Sequence, residues 1–166
     1  MMGKTHIAIA LLVALVIYTI FPLNRAYSFT FVLIATIIGG VFPDIDHPRN
    51  YIPGKKFTFF EKILVLIIPH RGITHSFFGA VLFSSLSIIL LNQWNINSNY
   101  IFFFFMGYIS HLLADSLTPA GIMWLYPFSR KRLGMGVIPT GSISEKLFFL
   151  LTILSLLTLI VLVRNR

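Results

Sequence analysis

Long apolar runs alternate with short polar segments along most of the chain. A bilayer-spanning α-helix takes about 20 predominantly apolar residues. Five runs approach this length, and they predict transmembrane helices at residues 5–21, 27–42, 74–91, 100–118 and 144–163. Pro22 and Pro43 end the first two runs, and Ser142 with Glu145 forms a capping-box pattern before the last. We therefore expect an all-α integral membrane bundle in which residues 1–166 form a single domain.

A shorter apolar stretch, residues 63–69, is too brief to cross a bilayer. It predicts a short interfacial or re-entrant helix. The neighbouring Phe57, Phe59 and Phe60 would suit a position at the membrane interface. The first long run could also be taken for a secretory signal peptide. However, no small-residue cleavage motif follows it and the polar His6 lies in its first turn, so we expect a retained helix.

The composition is typical of a protein exposed to lipid. Hydrophobic residues make up 57% of the chain and charged residues 11%, whereas charged side chains make up about a quarter of a typical soluble domain. The net charge of +8 could indicate nucleic-acid binding. In a membrane protein the commoner cause is a basic rim facing anionic headgroups, so we expect membrane lipids as partners and no nucleic acid.

The basic residues predict the orientation of the helices. With the N-terminus in the cytoplasm, ten of the 13 Lys and Arg residues fall on the cytoplasmic side, as the positive-inside rule favours. The opposite side receives only Arg25, Arg164 and Arg166. The sequence therefore predicts a multi-pass protein with a cytoplasmic N-terminus.

The acids and histidines are distributed just as unevenly. All five acids and all five histidines fall on the same side as the basic cluster in this topology. They are Asp44, Asp46, Glu61, Asp115 and Glu145, with His6, His47, His70, His75 and His111. Because the positive-inside rule explains the basic residues but not these groups, the sequence predicts a shared site at the cytoplasmic ends of the helices.

His111 and Asp115 lie one turn apart on the fourth predicted helix, in His111-Leu-Leu-Ala-Asp115. The i, i+4 spacing places both side chains on one face, and Gly107, one turn earlier, would let another helix come close. Ionisable groups within a bilayer are costly unless they are paired, hydrated or bound to metal. The residues alone leave two interpretations open, a hydrogen-bonded pair that joins helices and a pair of metal ligands.

A second polar group, FPDIDHP at residues 42–48, follows the second predicted helix. Asp44 and Asp46, with the adjacent His47, form an anionic turn between two prolines. Helix capping by solvated carboxylates would explain such a turn. We favour ligands, because carboxylates suit hard or borderline divalent cations.

The third group, HRGITHS at residues 70–76, leads into the third predicted helix. Thr74 can cap that helix, and Arg71 offers a planar fork for a phosphate or carboxylate. His70 and His75 could be a ligand and a general acid, or simply polar loop residues. His6 lies at the start of the first helix, and among these residues it shows the weakest indication of a role as a ligand.

Taken together, these groups favour a metal centre, because residues on the ends of four helices can converge into one pocket. The chain has no cysteine, so imidazole and carboxylate would hold the ion, and we expect zinc with manganese as the alternative. The predicted metal ligands are His6, Asp44, Asp46, His75, His111 and Asp115. The predicted catalytic residues are His70, Arg71 and Asp46.

These motifs resemble those of the YdjM-type family of small bacterial membrane proteins, usually described as membrane-bound metal-dependent hydrolases. The resemblance rests on FPDIDHP, HRGITHS and GYISHLLADSLTPAG, with Lys4-Thr5-His6 and the 124–132 segment, and it covers about residues 4–140. It implies a bacterial inner-membrane location and a common set of site residues. These are His6, Asp44, Asp46, His47, His70, His75, His111 and Asp115.

A looser similarity exists with the all-helical zinc phospholipase C and P1-nuclease group, whose metal clusters hydrolyse phosphate esters. The residues that would fill similar roles here are His6, Asp44, His75, His111 and Asp115.

The leading hypothesis is a membrane-embedded metal-dependent hydrolase that acts at the cytoplasmic face on a lipid or lipid-linked phosphate ester. Arg71 with Arg130, Lys131 and Arg132 would hold an anionic headgroup, although membrane anchoring alone also explains the basic run. One alternative is a metal or ion transporter, which needs ligands continuing toward the opposite face. The other is a structural membrane protein in which the cluster only joins helices.

Overall fold

A computed structural model confirms the predicted all-α class. It describes residues 1–20, 27–46 and 72–164, except for the side chains of Asp46, Val163 and Arg164. This described part contains five α-helices and no strand. The helices are α1 (Gly3–Ile20), α2 (Phe29–Val41), α3 (Phe77–Gln93), α4 (Ile101–Ser116) and α5 (Ile143–Arg164). The predicted interfacial or re-entrant helix at 63–69 lies outside the described residues.

Two of the described helices are long and apolar enough to cross a membrane, judged by length and composition. They are Gly3–Ile20 and Ile143–Leu162. Helices α2, α3 and α4 have 13, 17 and 16 residues, fewer than the about 20 that a typical crossing takes. The five-span arrangement therefore stays a prediction.

The start of α3 differs from the predicted one. The helix begins at Phe77 rather than at residue 74, because Ile73–His75 forms a 3-10 turn. Ser76 is the N-cap, and its hydroxyl accepts a hydrogen bond from the Gly79 N–H at 3.0 Å. The prediction that Thr74 caps this helix was wrong. Thr74 is buried inside the turn, where its hydroxyl lies 3.2 Å from Nδ1 of His75.

Helix α4 lies at the centre of the bundle, in contact with α1, α2 and α3, while α1 also packs against α2 and α5. Two apolar clusters surround α4. Phe104, Tyr108 and Leu112 belong to one of them, and Phe103 belongs to the other. This packing buries the end of α4, so that polar residues there face the interior.

Glycines allow α2 and α4 to come unusually close. A Cβ on Gly39 would lie 2.0 Å from the carbonyl oxygen of Phe104, and a Cβ on Gly107 would lie 2.0 Å from the carbonyl oxygen of Thr36. Such backbone contacts are typical of small-residue helix interfaces in membranes. The prediction that Gly107 admits a neighbouring helix is confirmed, and the same approach brings the carbonyl group of Gly40 beside α4.

The segment between α4 and α5, residues 117–142, folds back against the end of α4. Ile122 and Leu133 exchange backbone hydrogen bonds of 3.1 and 2.9 Å. Trp124 donates from its indole nitrogen to the Ser116 hydroxyl at 2.9 Å, and its carbonyl oxygen accepts from the Phe77 N–H at 2.9 Å. These bonds tie the segment to both α3 and α4.

We expect Gly107→Ala to destabilise the bundle, because the added Cβ cannot fit unless α2 and α4 separate. Overpacking of this kind costs about 1–3 kcal/mol, which thermal unfolding in detergent would register as a lower Tm. Gly3→Ala is the matched control, because a Cβ there meets no atom within 4 Å. Equal Tm values for both variants and the unsubstituted protein would contradict the close contact.

Candidate metal centre

Five of the predicted ligand residues meet in the interior of the described bundle. His6 comes from α1, Asp44 from the 3-10 turn after α2, His75 from the turn before α3, and His111 and Asp115 from α4. They form two groups that could hold a metal ion, and His111 belongs to both. In each group the ligand atoms lie within 4.8 Å of one another.

Four ligand atoms are spaced much as the ligands of a single ion would be. The Nε2 atoms of His75 and His111 are 3.4 Å apart. His75 Nε2 lies 3.7 Å from Asp44 Oδ1 and 3.8 Å from Asp115 Oδ2. His111 Nε2 lies 3.8 and 3.9 Å from the same two atoms. Ligands about 2.0–2.2 Å from a tetrahedral ion are roughly 3.3–3.6 Å apart, so a contraction of a few tenths of an ångström would suit a zinc-sized ion.

Hydrogen bonds outside the cluster orient two of the imidazoles. His111 Nδ1 lies 2.8 Å from the carbonyl oxygen of Gly40. Because a carbonyl can only accept, Nδ1 carries the proton and a neutral ring presents the Nε2 lone pair to the cluster. His75 also directs Nε2 inward, with Nδ1 at 3.2 Å from the Thr74 hydroxyl. The Tyr108 hydroxyl in turn donates to the Thr74 carbonyl at 2.5 Å.

His6 provides the test of whether a metal ion fits. Its side chain is 1% exposed, and within the described part of the chain neither ring nitrogen has a hydrogen-bond partner. The ring stacks on His111 with 3.7 Å between centroids, and Nε2 lies 3.3 Å from Asp115 Oδ1, which also accepts from the Met1 amine at 2.5 Å. His6 Nε2 therefore has an ion-pair contact with Asp115 but no well-directed hydrogen bond, and a cation beside Nε2 would give the buried imidazole a stronger interaction.

Asp44 is the most accessible of the five side chains, with 20% of it exposed. Burial would raise the pKa of Asp44, but the attraction of His75, His111 and His6 outweighs it and lowers the pKa from 3.8 to about 2. Asp44 is therefore anionic at neutral pH, as a cation ligand must be. Its partial exposure also marks the side from which water can reach the cluster.

Glu145 is a buried residue of this region that the sequence indicated as a helix cap and as one of the acids on the cytoplasmic side, but not as a site residue. Its Oε1 accepts from the Met2 N–H at 2.6 Å and from the Thr5 hydroxyl at 3.0 Å. Its Oε2 accepts from the Gly141 N–H at 2.6 Å, and its own N–H donates to the Ser142 hydroxyl at 3.2 Å. The carboxylate therefore joins the start of α5 to the start of α1, the part of α1 that carries His6.

The other predicted site residues do not enter the described cluster. His47, His70, Arg71 and the side chain of Asp46 lie outside the described residues. The predicted headgroup residues Arg130, Lys131 and Arg132 are exposed in the 117–142 segment.

Comparison with known proteins gives one family match over the whole length. The family described as YdjM inner membrane protein matches residues 1–166. The chain belongs to the YdjM family. It is 34% identical over 94 residues to the Inner membrane protein YdjM of Escherichia coli (strain K12), a match that covers 56% of this chain and 47%, about half, of that protein.

A second relative is matched over most of its length. The uncharacterized protein YvsG of Bacillus subtilis (strain 168) is 34% identical over 152 residues, which is 89% of this chain and 86% of YvsG. No solved structure matches the chain. The predicted family is thereby confirmed and its description supports a bacterial membrane location, whereas the number of spans and the orientation stay predictions.

We expect Glu145→Gln to lower stability, because the amide can replace only one of the two acceptor oxygens and would place an N–H group against a backbone N–H. Leaving a buried donor unsatisfied costs about 1–3 kcal/mol. Thermal unfolding in detergent measures the effect. Lys146→Gln, at the exposed neighbouring position, should change stability by no more than about 0.5 kcal/mol. A Glu145→Gln protein as stable as this control would show that the hydrogen bonds do not hold α1 to α5.

Proposed function

We propose that this YdjM-family chain is a membrane-embedded metal-dependent hydrolase acting on a lipid or lipid-linked phosphate ester. The observation that supports it most is the spacing of two imidazoles and two carboxylates in the buried cluster. The separations of 3.4–3.9 Å between their Nε2 and Oδ atoms would let one ion contact several of these ligands after a small contraction.

Asp44, His75, His111 and Asp115 would hold a divalent cation, with zinc preferred over manganese for a set of imidazole and carboxylate ligands. When bound, the cation would supply Lewis acidity toward a phosphate oxygen and acidity to water. His6 either completes the ligand set or holds a proton at Nε2 beside Asp115 Oδ1, 3.3 Å away.

The roles predicted for residues outside the described part complete the proposal. His70 or the carboxylate of Asp46 would move protons, and Arg71 would bind an anionic group through its guanidinium fork. Because Asp44 is the exposed side of the cluster, we infer that substrate approaches past the turn that follows α2.

The position of the ligands favours hydrolysis over transport. They come from the start of α1, the end of α2, the turn before α3 and the end of α4, which are neighbouring ends in a bundle of alternating helices. Along the described helices no His, Asp or Glu continues toward the opposite ends. A transport path would need such groups, so a single site at the cytoplasmic face is the better proposal.

Elemental analysis of the detergent-purified protein tests metal binding directly. We expect at least about one divalent cation per chain and loss of most of it in His111→Ala and Asp115→Ala. Thr152→Val is the matched control, because it removes a buried hydroxyl of α5 that bonds only within its own helix. Substoichiometric metal in the unsubstituted protein, unchanged in both ligand variants, would end the proposal.

Thr74→Val should weaken metal binding without removing a ligand, because the Thr74 hydroxyl lies beside Nδ1 of His75. Loss of such an outer contact lowers metal affinity by about 10–100-fold, which competition with a chromophoric chelator measures. Thr74→Ser keeps the hydroxyl and should retain most of the affinity. Equal affinities for the Val and Ser variants would rule out this role for Thr74.

Catalysis requires a separate measurement on the metal-loaded protein. Phosphomonoester, phosphodiester and carboxylester lipids would be offered in mixed micelles, and we expect turnover of a phosphate ester that disappears in Asp115→Ala. Metal flux into liposomes without hydrolysis of any of these lipids would favour the transporter instead.

A further inference from the structure

An open apolar groove lies on the side of α4 that faces away from the candidate metal ligands. It has a volume of about 710 Å³ and lies between α1, α4, α5 and the 117–142 segment. Its lining includes Ile9, Val13, Leu113, Trp124, Phe148 and, as the one charged side chain among the described lining residues, Arg132. Two of its walls, α1 and α5, are the described helices that are long enough to cross a membrane. The groove would therefore open toward lipid.

The groove and the metal ligands lie on different faces of α4. Ala114 and Ser116 line the groove, and so do Leu113 and Leu117, whereas Asp115 belongs to the candidate metal centre. Because consecutive helical residues are about 100° apart, Ala114 and Ser116 lie about 100° to either side of Asp115, and Leu113 and Leu117 lie about 160° from it. The groove is therefore centred on the face of α4 that points away from the ligands.

The groove matches the two chemical parts of an anionic lipid. Its apolar lining suits a hydrocarbon chain, while the Arg132 guanidinium suits a phosphate. Arg130 and Lys131 are exposed next to it, and the apolar Leu133 and Met135 are 50% and 72% exposed in the same segment. Basic and apolar side chains mixed in this way are typical of the headgroup region of a bilayer.

We propose that this groove binds one hydrocarbon chain of an anionic phospholipid, with the lipid phosphate against Arg132. The proposal goes beyond the proposed function, because the groove lies across α4 from the metal ligands and is a binding site for an intact lipid. It assigns Arg132 to the lipid phosphate and the wall residue Val13 to the chain site.

Quenching of Trp124 by brominated acyl chains tests the proposal. The chain has two tryptophans, and Trp94→Phe leaves Trp124 as the one in the groove. This protein would be reconstituted into phosphatidylcholine nanodiscs containing increasing fractions of either dibrominated phosphatidylglycerol or dibrominated phosphatidylcholine. A chelator present throughout separates the measurement from metal binding and hydrolysis, so that the groove and the hydrolase can fail independently.

We expect half-maximal quenching at a roughly fivefold lower fraction of phosphatidylglycerol than of phosphatidylcholine, since one basic side chain near an anionic headgroup is worth about this factor. Arg132→Gln should abolish the difference. Val13→Phe should fill the groove and reduce quenching by both lipids. Val16→Phe, on α1 but outside the groove lining, should leave the quenching unchanged.

Identical curves for the two lipids would overturn the proposal, because Trp124 would then contact only bulk lipid. Quenching unaffected by Val13→Phe would overturn it as well. If Val13→Phe does not fold, Arg132→Gln still decides the question, because Arg132 is exposed and its substitution should not prevent folding.

Discussion

The close contact between α2 and α4 determines the geometry of the candidate metal centre. Since Gly39 and Gly107 carry no Cβ, the two backbones approach to distances that any larger residue would prevent. At this approach the carbonyl oxygen of Gly40 accepts a hydrogen bond from His111 Nδ1 at 2.8 Å. That bond fixes both the ring orientation and the tautomer of His111, and it thereby directs Nε2 toward Asp44 in the 3-10 turn that follows α2.

The cluster buries ionisable groups, which is costly in free energy. Contacts with residues outside the cluster hold these groups in place. His6, His75 and Asp115 are each at most 1% exposed. The Glu145 carboxylate fixes the start of α1 near His6, and the Tyr108 hydroxyl fixes the turn that carries His75. Supporting contacts of this kind would keep the candidate ligands in position for an ion.

The sequence predicts which residues enter the cluster better than it predicts the contacts that orient them. His111 and Asp115 share a helix face because of their spacing, which is a local property. Asp44 and His75 were expected near helix ends because each lies next to a long apolar run, which is also a local property. The supporting contacts are long-range. Glu145 bonds a residue 143 positions away and His111 bonds one 71 positions away, and no local pattern encodes either. The start of α3 was predicted two to three residues too early, because Thr74 and Ser76 are both residue types that cap helices and the 3-10 turn between them is not evident from the sequence.

Helix α4 separates two parts of the molecule that differ in chemistry. One face carries His111 and Asp115 into the candidate metal centre, while Ser110, Leu113 and Leu117 on the other side line the apolar groove. A water-soluble ligand would leave about 710 Å³ of apolar groove unused, whereas a phospholipid would place its chain there and its phosphate against Arg132. The glycine contact with α2 orients His111 on one side of α4, and a lipid in the groove would pack against the other side. The geometry of the ligands and the binding of the lipid would then depend on the same helix.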